Sequence, residues 1–358
     1  MKVLIVTPSK KLMGGVTFYY KGLEAYWSNK VTYVTYGRRP NIPAIWCIIP
    51  DLIVYIYKLL LYCPDVVIVN PSFRPYQLKR DGFYLLLARL MKRKVVSMFH
   101  GWDRTYSKLM EQKPSRYVRW FDKSAFIYVL CSDFKNALRR MGITAPVLLT
   151  TTEVRDSLVE DYDNSRRTGE IRNLLFLARL DKRKGIYETI ETFALLKKGY
   201  PYLTLNICGD SDDRQFVQEV KNFAAKKNVK DIVFHGAVVG REKIQAFKDN
   251  DLYILPTYEE GMATSQLEAM AFGLPIISRP EGGIKDHFVN GEMGYLVDSL
   301  DPHEYAERIG YMIEHPDICK RMSDKAFQYA HAHFLASSVA KKFETAQPTN
   351  PVGKLYGC

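Results

Sequence analysis

Two carboxylates stand on either side of a small-residue turn in Tyr258-Glu259-Glu260-Gly261-Met262-Ala263-Thr264-Ser265-Gln266-Leu267-Glu268. A carboxylate accepts hydrogen bonds from hydroxyl groups, which suits a sugar or a ribose. Gly261 and Ala263 let the backbone pass close to a ligand. A helix opening near Ser265 would aim unpaired N–H groups and the positive end of its dipole at a phosphate. The same residues admit a plainer account. Ser265-x-x-Glu268 has the spacing of a capping box, so Glu268 could serve only its own helix, with Glu259 and Glu260 as solvated turn residues. Local chemistry leaves both readings open.

Other clusters also fall at predicted strand ends, where open parallel sheets bind ligands. Ala178-Arg179-Leu180-Asp181-Lys182-Arg183-Lys184-Gly185 brings Arg179 and Lys184 to the end of one strand. Gly14-Gly15 follows the first strand, with a helix expected from about Val16, but lacks the G-x-G-x-x-G spacing of a dinucleotide site. Phe99-His100-Gly101-Trp102-Asp103 ends another strand and offers His100 and Asp103 as candidate ligand contacts. Gly209-Asp210-Ser211-Asp212 contains a D-x-D that could bind a divalent cation. It is read as a ligand-side loop, with Gly209 and Asp210 as candidate contacts, and not as a metal site. His235-Gly236, after the strand Ile232–Phe234, is a further candidate contact.

Glu260 and Glu268, with seven residues between them, followed by Ala-Met-Ala-x-Gly-x-Pro, resemble the signature of glycosyltransferase family 4. Pro280-Glu281-Gly282-Gly283-Ile284-Lys285-Asp286 and Asn290-Gly291-Glu292-Met293-Gly294-Tyr295-Leu296-Val297 are similar to the segments that follow it, so the match covers most of residues 172–300. The resemblance implies an α/β protein of the GT-B fold, two Rossmann-like doubly wound domains facing across a cleft. It implies metal-independent transfer of a sugar, with retention, from a nucleoside diphosphate donor, UDP being the commonest. Glu260 would hold the sugar and Glu268 the ribose. The backbone of Gly261, Met262, Ala263 and Thr264 would meet the sugar and diphosphate, with Gly14 and Gly15 bordering the phosphates. Arg179 and Lys184 would supply the positive charge that a departing diphosphate needs. His100 would lie near the reacting sugar. Ala263 stands where the family more often has Gly. No cofactor is implied, since the sugar nucleotide is a substrate.

These residues need a scaffold, and the apolar pattern supplies one. Val3–Val6, Val31–Thr35, Val66–Val69, Val95–Phe99 and Ile127–Leu130 read as strands with apolar-periodic segments between, such as Phe18–Trp27 and Phe83–Leu90. Leu174–Ala178, Thr204–Cys208, Ile232–Phe234, Leu252–Leu255 and Pro275–Ser278 repeat the pattern, with helices expected at Ile186–Lys197, Asp213–Lys226, Glu242–Asp249 and Ser265–Phe272. Such βα alternation makes a parallel sheet covered on both faces. The expected domains are residues 1–155, which bind the acceptor, and 170–335, which bind the donor. A helix over 336–346 returns to the first domain, and Pro348 and Pro351 mark a loose tail. Polar Glu160–Arg172 is read as a linker or an exposed loop. Ala44–Cys63 is strongly apolar but interrupted by Pro50, Asp51 and Lys58, and its longest clean stretch, Leu52–Tyr57, is too short to span a bilayer. A helix buried against the sheet is the expectation there, with a helix dipping into a membrane as the alternative.

The chain has 358 residues, of which 47% are hydrophobic, enough for two cores. Its six cysteines are scattered, with no C-x-x-C and no zinc-type spacing, and are read as reduced thiols. Val3–Val6 is too short for a signal-peptide core, so the cytoplasmic side is expected. Residues 1–150 hold 24 Lys/Arg and 8 Asp/Glu, net +16, and the remainder is net −4. A basic half faces something anionic. Lys79, Arg80, Arg89, Lys92, Arg93 and Lys94 are expected to contact an anionic membrane peripherally, on its inner face. That would suit a lipid-linked saccharide acceptor in O-antigen, capsule or exopolysaccharide synthesis. A GT-B epimerase or phosphorylase is the alternative enzyme. A nucleic-acid-binding protein is the remote one, since no recognition motif accompanies the charge.

Overall fold

The computed structural model describes residues 1–9, 14–37 and 44–345. The chain divides into two units, Met1–Glu153 with the C-terminal segment from Ala336, and Val154–Leu335.

The first unit is built on a six-stranded sheet. Its strands are β1 (Lys2–Pro8), β2 (Lys30–Tyr36), β3 (Val66–Val69), β5 (Lys94–Phe99), β7 (Phe126–Val129) and β8 (Val147–Leu149). They lie in the order β2-β1-β3-β5-β7-β8 and pair in parallel throughout. Short β4 (Ser72–Phe73) and β6 (Gly101–Trp102) form a separate ladder beside it. Every residue of β3 is buried, as are Val3 to Val6 of β1. Unbroken β-branched runs of this kind belong to strands covered on both faces. The helices are α1 (Gly15–Leu23), α2 (Ala44–Leu61), α3 (Pro75–Leu90), α4 (Arg104–Gln112), α5 (Arg116–Arg119) and α6 (Ser132–Arg140).

The second unit repeats the plan. Short α7 (Asp156–Val159) leads in. The sheet holds β9 (Asn173–Leu177), β10 (Thr204–Cys208), β11 (Ile232–Gly236), β12 (Leu252–Leu255), β13 (Ile276–Ser278) and β14 (Gly294–Leu296). The order is β11-β10-β9-β12-β13-β14, again parallel. Around it lie α8 (Ile186–Gly199), α9 (Arg214–Lys226), α10 (Arg241–Lys248), α11 (Thr264–Ala271), α12 (Ile284–His287), α13 (Pro302–Glu314) and α14 (Pro316–His333). The last helix, α15 (Ala336–Thr345), belongs to the first unit. Its Ala336, Val339 and Ala340 join the core under α1, and Phe343 stacks on Tyr128 at 4.8 Å. Residue 346 and the proline-marked tail lie outside the described residues.

Two expectations need correction. Glu160–Arg172 is not a linker but part of the second unit's frame. Arg167 donates to the carbonyls of Phe247, Asn250 and Phe272 at 2.8–2.9 Å, and buried Asn164 donates to Asp324. Those carbonyls belong to the ends of α10 and α11, where helices leave acceptors unpaired. A guanidinium with five donors satisfies several at once. Here Asn164 and Arg167 bind the second unit's helices, while most of the segment's other polar residues stay exposed.

The second correction concerns α2. It forms over the expected residues, yet only one side of it is buried. Cys47, Asp51, Tyr55 and Leu59, spaced by four, face inward, and the Tyr55 hydroxyl donates to the Tyr84 carbonyl of α3 at 2.9 Å. Trp46, Ile49, Ile53, Tyr57 and Leu60 are exposed. The sheet can cover only one stripe of a helix, and this helix is apolar all round.

Candidate functional site

In the second unit the chain runs outward from β9 through β10 to β11, then returns to place β12 on the other side of β9. The carboxyl ends of β9 and β12 therefore flank the point where the order reverses, and helices diverge from it to leave a crevice. Arg179 and Lys184 follow β9, and Glu260 follows β12. Lys184 donates to Glu260 across this junction, and both side chains are largely covered.

The pairing depends on how closely the two loops approach. Tyr258 N–H donates to the Arg183 carbonyl at 2.8 Å, and the Thr257 hydroxyl donates to the same oxygen at 3.1 Å. Gly185 sits at φ +72°, and a methyl group there would lie 2.1 Å from the Pro256 carbonyl oxygen. Only glycine combines that backbone angle with that contact. Gly282, at φ +70°, does the same on the other side. A methyl there would come within 2.5 Å of the Glu260 carbonyl, and Gly283 N–H donates to the Gly261 carbonyl at 2.7 Å. Asp181 caps the turn before Lys184 by accepting from Arg183 N–H at 3.0 Å. Its bonds to Arg183 lead the causes that hold its pKa down at about 2. Arg179 lies 3.5 Å from the same carboxylate and is otherwise largely exposed.

Helix α11 opens at Thr264, so Gly261, Met262 and Ala263 form its lead-in, and no side chain caps it. The capping-box reading does not hold. Ser265 instead shares a 2.7 Å hydrogen bond with the Tyr253 hydroxyl of β12, and Glu268 sits one residue beyond the first turn. The helix N-terminus keeps its unpaired N–H groups. Glu268 is buried, and Lys243 of α10 lies 2.6 Å from each of its oxygens. Burial raises its pKa, and Lys243 pulls it back. Oε2 has no partner besides that ammonium, and a carboxylate oxygen can accept a second hydrogen bond, so a hydroxyl donor can still be received there. Lys243 is absent from the sequence expectations, because a lysine on an amphipathic helix carries no sign of the carboxylate it will meet.

Asp210 follows β10. Its carboxylate takes both bonds of Arg214 at 2.8 and 2.9 Å, and Gly209 N–H donates to the Gly236 carbonyl. Among the described residues, no group of three or more His, Cys, Asp or Glu is placed to hold a metal ion. His235 lies within β11, not after it. A register shift between Ile207 and Cys208 accompanies its bond to Asn206 at 2.8 Å, which turns it toward the neighbouring strand.

In the first unit, the order reverses between β1 and β3. Buried Asn70 follows β3 and His100 follows β5. Asn70 Nδ2 donates to the Val6 carbonyl at 2.9 Å, which fixes the amide so that Oδ1 faces away. That oxygen accepts from the Tyr20 hydroxyl at 2.7 Å and meets His100 Nε2 at 3.0 Å. Oδ1 has no proton to give, so Nε2 carries it and Nδ1 keeps a lone pair. Burial lowers the His100 pKa to about 3, so the ring is neutral. The sequence does not mark Asn70, because a lone Asn after a strand looks like a turn residue. Asp103 caps α4, accepting from Tyr106 N–H at 2.8 Å. Gly14 and Gly15 open α1, with room for a side chain at both, and residues 10–13 lie outside the described set.

Residues 160–329 match the family model for glycosyl transferases group 1. A trehalose synthase from Pyrococcus horikoshii is 30% identical over 47% of this chain and 41% of its own length. The amylovoran biosynthesis glycosyltransferase AmsK of Erwinia amylovora is 26% identical over 70% of this chain and 64% of its own. The chain thus spans less than two thirds of either relative. Among solved structures, Anabaena HepE in complex with UDP superposes with a TM-score of 0.74 at 15% identity, covering 96% of this chain and 99% of that one. A sucrose-phosphate synthase from Thermosynechococcus elongatus gives 0.71 at 16%, with 96% and 97% covered. The chain has the GT-B fold, and its residues 160–329 match glycosyl transferases group 1.

Proposed function

We propose that the protein is a retaining glycosyltransferase. It moves a sugar from a nucleoside diphosphate donor, UDP by preference, to a hydroxyl of a lipid-linked saccharide in surface polysaccharide synthesis. The observation that carries this reading is the junction of β9 and β12. There Lys184 and Arg179 reach a strand-order reversal beside the uncapped start of α11, with Glu260 held against Lys184. Cationic side chains, helix N–H groups and a hydroxyl-accepting carboxylate are what a sugar diphosphate requires. The AmsK relative is named for polysaccharide synthesis, and the HepE relative holds UDP, which supports the donor and the pathway class.

In this reading the bond from the anomeric carbon to the diphosphate oxygen breaks and the acceptor oxygen bonds to the same face. The acceptor proton leaves with the diphosphate. Arg179 and Lys184 stabilise the negative charge that appears on the leaving group, so no metal is needed. Glu260 binds the sugar hydroxyls once the diphosphate draws Lys184 away. The ribose donates to Oε2 of Glu268 beside Lys243, and Gly261 to Thr264 line the sugar and phosphates. On the first unit, neutral His100 offers its Nδ1 lone pair to a hydroxyl.

The test is a thermal-shift panel of UDP-, GDP- and ADP-sugars on the wild type, Glu260→Ala and Arg179→Ala. The wild type is expected to be stabilised by one nucleotide class, UDP first, and both variants to lose most of that response. A wild type stabilised by none of them, or variants that respond as it does, would overturn the reading.

A further inference from the structure

Among the described residues nothing covers the outward face of α2, and its chemistry is unusual for a protein surface. Trp46, Ile49, Ile53, Tyr57 and Leu60 recur at helical spacing with exposures of 74, 70, 62, 58 and 56%. An isolated exposed apolar residue needs no explanation, but a continuous stripe along a whole helix does. The two charges of this helix leave the stripe alone. Asp51 is buried and accepts from Gly37 N–H at 2.8 Å, and Lys58 sits at its edge, half-buried.

Helix α3 extends the face. β2 to β3 and β3 to β5 cross in the same direction along the sheet, so right-handed connections put α2 and α3 on the same side. The bond from Tyr55 to Tyr84 holds them together. The outward side of α3 adds Phe83 and Leu90, with exposed Lys79 and Arg89, and Lys92 follows just beyond. Arg80 and Arg93, expected among the outward cations, are otherwise engaged. Arg80 binds Asp81 and the Tyr36 hydroxyl, and Arg93 reaches the Leu59 carbonyl.

The charge on this layer has one sign. Residues 44–94 carry eight Lys or Arg and three Asp, with no Glu. Asp51 and Asp81 are buried, and Asp65 accepts from Lys2 N–H at 2.7 Å. What faces outward is apolar side chains bordered by cations, the complement of an anionic bilayer surface. No helix among the described residues is long and apolar enough to cross a membrane.

We propose that α2 lies in the plane of an anionic lipid surface, with Trp46, Ile49, Ile53, Tyr57 and Leu60 seated below the headgroups and Lys79, Arg89 and Lys92 against the phosphates. This surface is separate from the residues assigned to sugar transfer, and its binding is read without any sugar donor. A failure here therefore leaves the transferase reading standing, and the reverse also holds.

The test floats the full chain with phosphatidylcholine vesicles, with and without phosphatidylglycerol, for the wild type, the pair Ile49→Asn/Ile53→Asn, and the triple Lys79→Gln/Arg89→Gln/Lys92→Gln. The wild type should float with the phosphatidylglycerol vesicles. The Asn pair should lose at least about tenfold in partitioning, since two side chains no longer bury in the acyl boundary. The Gln triple should lose the preference for phosphatidylglycerol. Both variants should keep the wild-type melting temperature, because the substituted side chains touch no core. A wild type that stays down with both vesicles, or an Asn pair that floats equally, overturns the proposal. So does a wild-type dimer that the Asn pair dissociates, which would assign the face to a second copy.

Discussion

The two sheets reverse their strand order in the same way, and each gathers polar side chains at the reversal, but with opposite chemistry. At β9 and β12 the side chains are ionic, with Lys184 against Glu260 and Arg179 exposed beside Asp181. At β1 and β3 they are neutral, with buried Tyr20 and Asn70 joined to half-buried His100 in a chain of hydrogen bonds. Position alone therefore does not set what a strand-end crevice can do. The second unit presents charge to a ligand, while the first presents an imidazole fixed in one tautomer and kept from ionising. The ionic junction should respond to ionic partners and the neutral one to hydroxyl partners.

The largest effect expected of this contrast lies in the cations. Arg179→Ala and Lys184→Ala should each lower kcat/KM by about 10²–10³, the usual cost of removing a group that stabilises developing charge. Initial rates with the best sugar nucleotide check this. A loss below about threefold in both would erase the distinction between the units.

A stability change comes next. Gly185→Ala should destabilise the protein by about 1–3 kcal/mol, because the left-handed backbone and the Pro256 carbonyl both oppose a methyl group. Chemical denaturation measures it.

The neutral junction is tested by charge. With its pKa lowered to about 3, His100 should contribute no break to the pH–rate profile between roughly pH 5 and 8. Asn70→Asp places a carboxylate against Nε2, favours the protonated ring and raises its pKa. A new loss of activity on lowering the pH is then expected, relieved as the pH rises through the new value. A wild-type break that His100→Gln removes would show that the ring is not neutral.

The smallest effect belongs to Glu268. Its pKa is raised by burial, and the proposed ribose contact uses the ionised form, so donor affinity should weaken as the pH falls through that raised value. Lys243→Met removes the ion that favours ionisation and should move the weakening to higher pH, with KM rising by about tenfold or less. Donor KM measured against pH separates the two proteins.

The sequence made the strands and the strand-end motifs legible, for physical reasons. Doubly covered strands are continuous apolar runs, as at Val66–Val69 and Leu252–Leu255, and such runs need no alignment to be seen. Residues displayed at strand ends, such as Arg179 and Glu260, follow from where those runs stop. The supports were not legible. Lys243, Asn70 and Gly282 act through partners 25 or more residues away or through backbone approach, as with Lys243 against Glu268 and Asn70 against Val6. Glu160–Arg172 misled because a polar run can cap helix ends as well as link domains. Apolar α2 misled because apolar composition does not say which faces the sheet can cover.

The most direct measurement is a calorimetric titration of UDP into the wild type, Lys184→Ala and Asn70→Leu. If the β9–β12 junction holds the diphosphate, the wild type binds, Lys184→Ala binds at least about tenfold more weakly, and Asn70→Leu binds as the wild type does. Unchanged affinity in Lys184→Ala, with affinity lost in Asn70→Leu, would contradict the account.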